Sequence, residues 1–458
     1  MARSFQLVPK ASGKPVPITP VTAAGLDAAL KRADAAARTW VRTAGFTGRA
    51  GAVCLVPGGG GKVARVFVGH APGDDLWALG NLSKDLPEGV YALDRGTIDP
   101  TQAALGWAIG TYAFARYKKV KKLQAELIWP EGCDRAHVRA VAEAVHLVRD
   151  LIDQPAQDMT PAHLAEAAVD LAKRHDAEIS VIVGDELLER NFPAIHAVGR
   201  ASATPPRLID IVWGDPKAPK VTLVGKGVTF DTGGLDLKPA SGMQWMKKDM
   251  GGAANVLGLA HIVMSAKLNL RLRVLVPAVE NAVSGSAYHP MDVIRTRKGI
   301  TVEIGNTDAE GRVILSDALA EAAAERPDLI FDFATLTGAA RVALGPELPA
   351  MFCNDDALAE DFAVHAAREN DPLWRLPLWD GYRPLIDGKT ADITNSADSP
   401  FAGAITAALF LREFVGRGKW AHFDLYAWNA KSRPGRPEGG EAMVIRAAFA
   451  LLRRRYGG

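Results

Sequence analysis

A chain of 458 residues is too long for one hydrophobic core, since single cores stop growing near ~250–300 residues, so two domains are expected. With 48% hydrophobic and 23% charged residues it is neither a disordered chain nor, lacking any apolar run of the ~18 residues that span a bilayer, a membrane-spanning one. The net charge of +2 conceals an asymmetry: residues 1–133 carry 17 Lys and Arg against 10 Asp and Glu, and the remainder carries 37 against 42.

The opening MARSFQLVPKASGKPVP lacks the apolar stretch of a signal peptide, so a cytoplasmic protein is expected. Cys54, Cys133 and Cys353 lie far apart with no C-x-x-C spacing, which encodes neither a disulfide framework nor a zinc knuckle. Short apolar runs such as VARVFVGH and LWALGNL, punctuated by Gly and Pro, predict a small N-terminal α/β domain over 1–133. PGGGGKV at 57–63 has Val63 where a phosphate-binding loop needs Ser or Thr and Val56 where it needs its first glycine, so it reads as a turn. RYKKVKK at 116–122 offers charge for phosphate contacts but no base-reading motif, and a solvated helix face is expected there.

AHVRAVAEAVHLVRDLI sets Val138, Val141, Val145, Val148 and Ile152 near one face of a helix, read as a linking helix over 134–153 and ended by the prolines of DQPAQDMTP. Over 154–458 the strand-like runs LIDIVWG, KVTLVGKG, LRVLVPAVEN, LIFDFATLTG and AHFDLYAW alternate with helical stretches. That pattern predicts a larger α/β domain with a central mixed sheet flanked by helices.

In such a sheet, binding residues collect where strands end. VTLVGKGVTFDTGGLDLK delivers Lys226, Asp231, Asp236 and Lys238 just beyond a strand. Asp249 precedes the small-residue helix start MGGAAN, and NTDAEGR places Asp308, Glu310 and Arg312 at another helix start. Singly, each carboxylate serves as well for capping or a surface ion pair. Converging on one cleft, they would repel one another and call for positive charge, from lysine and arginine or from a divalent cation; Mn²⁺, Mg²⁺ and Zn²⁺ all suit oxygen-rich sites. Two ions about 3.5–4 Å apart with shared carboxylates would activate one water, which is hydrolytic machinery. Neither an H-E-x-x-H helix nor a G-x-S-x-G elbow offers another route, and His261, His289 and His422 form no metal motif and are read as core or supporting residues.

VGKGVTFDTGGLDLK, KKDMGGAANV, NTDAEGR and DFATLTGA, in that order, resemble the signature segments of the leucyl aminopeptidase (cytosol aminopeptidase) family of dinuclear-metal aminopeptidases. The resemblance runs from about Asp153 to the C-terminus. It implies a metallo-exopeptidase that releases N-terminal amino acids from peptides with a free N-terminus by attack of a metal-bridging water. It implies two divalent ions per subunit, Mn²⁺ or Zn²⁺: Lys226, Asp231, Asp249 and Glu310 on the tighter, Asp231, Asp308 and Glu310 on the more exchangeable. A lysine ligand must be neutral, against a reference pKa of ~10.4, and the same spacing also suits a lysine that pairs with the carboxylates as a cation. Lys238 matches the family's electrophile, and Arg312 matches the arginine that holds bicarbonate as general base. Met246, Thr335, Leu336, Gly338 and Tyr426 would line the substrate pocket. The family usually has a small residue followed by glycine where this chain has Tyr426 and Ala427; with its ring inward Tyr426 would make the pocket shallower and more polar at one wall, and with its ring turned away it would pack beneath the sheet. A homohexamer without membrane attachment is implied. Some family members also bind DNA, which makes a regulatory role of the basic N-terminal domain the alternative; nucleic acid is not the expected partner.

Overall fold

The structure, a computed structural model, describes residues 5–11 and 13–457. They divide into two compact units, one running to His146 and including Asn429–Glu438, the other comprising Leu147–Trp428 and the chain from Gly439 onward. Both are mixed α/β.

The first unit is built on a six-stranded sheet with Val16–Val21 near its middle, paired in parallel with Val63–Gly69 on one side and Gly89–Leu93 on the other. PGGGGKV closes the antiparallel hairpin of Val53–Pro57 with Val63–Gly69, and Gly60 adopts φ +67° there, so the run is a turn. The basic stretch 116–122 is not helical. Its four lysines within five residues would stack like charges along a helix, and it carries no apolar face to bury.

In the second unit a mixed sheet runs, from edge to edge, through Trp374–Arg375, Ala350–Cys353, Trp420–Asp424, Leu329–Ala334, Lys220–Gly225, Arg271–Asn281, Arg207–Trp213 and Glu178–Val183, with Gly227–Asp231 joined to the end of Arg271–Asn281. Its four central strands, from Trp420–Asp424 to Arg271–Asn281, are parallel. Parallel strands are covered on both faces, and Leu329–Ala334 is accordingly buried at every position. Gly251–Ser265 packs on this sheet, buried from Gly251 to Met264, which is why its sequence shows apolar residues all round instead of a stripe. Glu310–Ala324 also packs against the sheet.

A charged residue interrupts the core strand Leu329–Ala334. Asp332 accepts hydrogen bonds from Trp420 Nε1 and His422 Nδ1, each 2.5 Å away, and both Asp332 and His422 are fully buried. His422 is therefore a core residue. His261 pairs with His175 at 2.9 Å, and His289 lies exposed beside Asp292. Asp332→Ala would strand the indole and imidazole groups without a partner, and the expected cost is about 3–5 kcal/mol, read as a lowered urea midpoint.

Candidate active site

The segments singled out in the sequence leave the same end of the parallel strands. Lys226 follows Lys220–Gly225, Asp231 closes Gly227–Asp231, Thr335 follows Leu329–Ala334, and Asp424 ends Trp420–Asp424. Backbone bonds fix the first junction: Lys226 N donates to Phe333 O, and Ala253 N donates to Lys226 O. The turn carrying NTDAEGR is clamped reciprocally, because Asp236 N donates to Thr307 Oγ1 while Thr307 N donates to Asp236 Oδ2. Asn306 accepts from Asp308 N and starts the turn that leads into Glu310–Ala324.

Four carboxylates meet two lysines there. The Lys226 ammonium lies 2.7 Å from Asp249 Oδ2, 2.9 Å from Glu310 Oε1 and 3.0 Å from Thr335 O. Lys238 pairs with Asp231 at 2.8 Å and with Asp308. Asp231 Oδ1 accepts from Gly233 N and Asn281 Nδ2, and Asp249 Oδ1 accepts from Thr335 Oγ1 at 2.7 Å. Gly311 is required by close approach, for a Cβ there would stand 2.6 Å from Lys226 Cε and 2.7 Å from its Nζ.

The electrostatics show more negative charge than the lysines neutralise. Burial, then the charge of Asp231, pushes the Glu310 carboxyl up to about 8 even though Lys226 opposes the shift. Burial and Asp231 push Asp308 up to about 6 against the pull of Lys238. Asp231 goes the other way: burial would raise it, but Lys238, Lys226 and the Gly233 N–H together hold it below the usual carboxylate range. Burial likewise works against charge on Lys226, yet Asp249, Glu310 and Asp231 hold its ammonium well above an ordinary lysine.

This donor set fits divalent cations. Asp231, Asp308 and Glu310 each offer an oxygen within 4.8 Å of the others, and Glu310 Oε2 is buried without a hydrogen-bond partner. Hard oxygen donors carrying excess negative charge are what such ions bind. Arg312 resembles an anion holder. Its Nη1 donates to Asn395 O, its Nε is buried without a partner, and burial lowers its pKa to about 10 against the pull of Glu310 and Asp424.

A cleft of about 300 Å³ opens onto the cluster. Lys226, Asp231, Lys238, Asp249 and Asp308 line it together with Met246, Thr335, Leu336, Gly338 and Tyr426, while Glu310 and Arg312 are not among its lining residues. Three further charged residues of the lining, Asp424, Lys248 and Arg341, are not singled out by the sequence. Asp424 accepts from Leu336 N, Thr337 N and Thr337 Oγ1 and so fixes the turn after Leu329–Ala334. Lys248 and Arg341 place cations 4.5 Å and 5.4 Å from the centre of the Tyr426 ring. A charged residue at the end of a buried strand could have flagged Asp424; the contact of the two cations with Tyr426 leaves no local trace. Beyond Tyr426 the chain turns through Ala427 at φ +56°, a left-handed conformation that suits glycine better. A Cβ built on Gly251 would stand 2.4 Å from the Ala427 methyl.

The family model for the catalytic domain of the cytosol aminopeptidase family matches residues 146–449, and that for the M17 aminopeptidase N-terminal domain matches 16–130. A probable cytosol aminopeptidase of Roseiflexus castenholzii is 41% identical over 384 residues, 80% of this chain and 78% of that protein. One of Leifsonia xyli is 40% identical over 444 residues, 89% of this chain and 88% of its own. Among solved structures, the cytosol aminopeptidase of Coxiella burnetii superimposes with a TM-score of 0.95 at 49% identity, covering 99% of this chain and all of its own. The bottromycin maturation enzyme BotP in complex with Mn superimposes at 0.87 with 33% identity, covering 97% and 100%.

Proposed function

The chain belongs to the cytosol aminopeptidase family, a metal-dependent family of hydrolases, and from that premise we propose how its own residues divide the work. Asp231, Asp249, Asp308 and Glu310 would hold two divalent ions, with Asp231 and Glu310 shared between them. Lys226 would join the tighter site as a neutral amine, in the space that Gly311 keeps open. The observation that carries this reading is the convergence of Asp231, Asp308 and Glu310, with Glu310 Oε2 buried and unpartnered. Mn²⁺ and Zn²⁺ both suit the set, and Mn is the metal in the BotP complex.

When bound, the ions supply Lewis-acid polarisation of the scissile carbonyl and a nucleophilic water at neutral pH, and bicarbonate supplies the general base. Lys238, already between Asp231 and Asp308, would donate to the oxyanion that develops as the carbonyl is attacked. Arg312 would hold bicarbonate through its unpartnered Nε, the planar guanidinium matching a planar oxyanion. Asp249 and the carbonyl of Thr335 or Leu336 would lie beside the free α-amine of the substrate at the metal site, which restricts cleavage to the first residue. Blocked peptides would lose that anchor. The working form we propose is a cytoplasmic homohexamer; among the described residues no helix is long and apolar enough to cross a membrane.

Chelation should abolish release of the first residue from unblocked peptides, and full activity should return only with two equivalents of Mn²⁺ or Zn²⁺ per chain by elemental analysis. Full turnover with one equivalent would overturn the two-ion assignment.

A further inference from the structure

The part of the cleft lined by Met246, Gly338 and Tyr426 contains two cations that the chemistry above leaves unused. Lys248 is only 5% exposed, with its ammonium 4.5 Å from the Tyr426 ring centre. The exposed Arg341 brings its guanidinium carbon within 5.4 Å of the same ring. An aromatic face steadies a cation without neutralising it. Neither residue makes an ion pair among the described residues.

Nearby carboxylates are engaged elsewhere. Asp249 gives Oδ1 to Thr335 and Oδ2 to Lys226, and Asp424 gives both oxygens to Leu336 N, Thr337 N and Thr337 Oγ1. A lysine buried this deeply ordinarily has an anionic partner, and here the cleft itself is where one can enter. An apolar side chain entering it would desolvate Lys248 further and return no hydrogen bond. A basic one would meet like charge. A carboxylate would accept charge-assisted hydrogen bonds from both cations.

We propose that this part of the cleft receives the side chain of the substrate's first residue and selects an acidic one, with Lys248 and Arg341 as the specificity-determining cations and Tyr426 as the ring that holds them in place. The inference rests on the aminopeptidase reading above and names its substrate class: peptides beginning with glutamate or aspartate.

The test is a panel of aminoacyl-coumarin amides bearing Glu, Gln, Asp, Asn, Leu and Lys, assayed with the Mn²⁺-loaded enzyme. Glu and Gln differ in charge but hardly in shape. The expected kcat/KM for Glu exceeds that for Gln by about 10-fold or more, the worth of a hydrogen bond to a charged group, with Lys the poorest substrate. Lys248→Met and Arg341→Met should each bring the Glu-to-Gln ratio towards one. Arg341→Met alters an exposed side chain, so it keeps the test decisive if Lys248→Met folds poorly. Equal rates for Glu and Gln with Leu fastest, or a ratio unmoved in Arg341→Met, would overturn the acidic preference and leave the aminopeptidase reading standing. Hydrolysis of none of the six would overturn both.

Discussion

Lys238→Ala should lower kcat by roughly 10² or more while bound metal does not fall. Lys238 bridges Asp231 and Asp308, two of the carboxylates assigned to metal, and its side chain is 15% exposed on the cleft wall. A cation so placed has two possible duties. If it merely offset carboxylate repulsion, divalent ions would take over that task and the alanine variant would bind metal normally with near-normal turnover. If it donates to the developing oxyanion, the loss appears in kcat, because the interaction is made only as charge builds on the carbonyl oxygen. Metal content by elemental analysis, measured beside kcat and KM, separates these outcomes, and loss of metal in step with activity would assign Lys238 a structural role.

Glu310→Gln should have the larger effect still, with turnover falling on the order of 10³-fold or more and metal falling below two equivalents per chain. The amide keeps the volume of the side chain in a position only 1% exposed, so the fold should survive, as a thermal melt would show. What changes is the charge. Glu310 contacts Lys226 through Oε1, leaves Oε2 buried without a partner, and offers an oxygen within 4.8 Å of those of Asp231 and Asp308, so a neutral amide weakens a ligand of both proposed ion sites at once. Asp308→Ala would touch only the exchangeable site and Asp249→Ala only the tighter one. A Glu310→Gln variant retaining two equivalents and normal turnover would dismiss the shared role.

The catalytic unit was legible because its strands are long apolar runs ending in charged, glycine-containing turns. VTLVGKG and LIFDFATLTG name both a central strand and the residues displayed at its end, and the mixed sheet flanked by helices followed from their alternation. The cluster of Lys226, Asp231, Asp249, Asp308 and Glu310 was legible for the same reason, since each lies at a strand end or helix start. Contacts made through space were not. Lys248 and Arg341 reach Tyr426 from two helical segments remote in sequence, and nothing near either residue announces a shared ring. Asp424 ends the strand in HFDLYAW, but the turn it holds, Leu336–Thr337, lies almost ninety residues away in sequence. The stretch at 116–122 misled in a different way: a run of lysines at helical spacing resembles a solvated helix face only if something else supplies the helix.

Ala427 and Gly251 share one space, and that constrains the history open to this sequence. With the Ala427 methyl in place, a second methyl at position 251 would sit 2.4 Å from it, so Gly251→Ala is closed to the chain as it stands. Ala427→Gly is open, because it removes a methyl and relaxes a left-handed backbone, and only after it does position 251 gain room. The two sites are therefore coupled: alanine can pass from 427 to 251 through a glycine-glycine intermediate but not through an alanine-alanine one. A survey of variants one substitution at a time would score position 251 as intolerant and miss that the tightest contact comes from the Ala427 methyl, with the Thr335 methyl at 3.2 Å the lesser one.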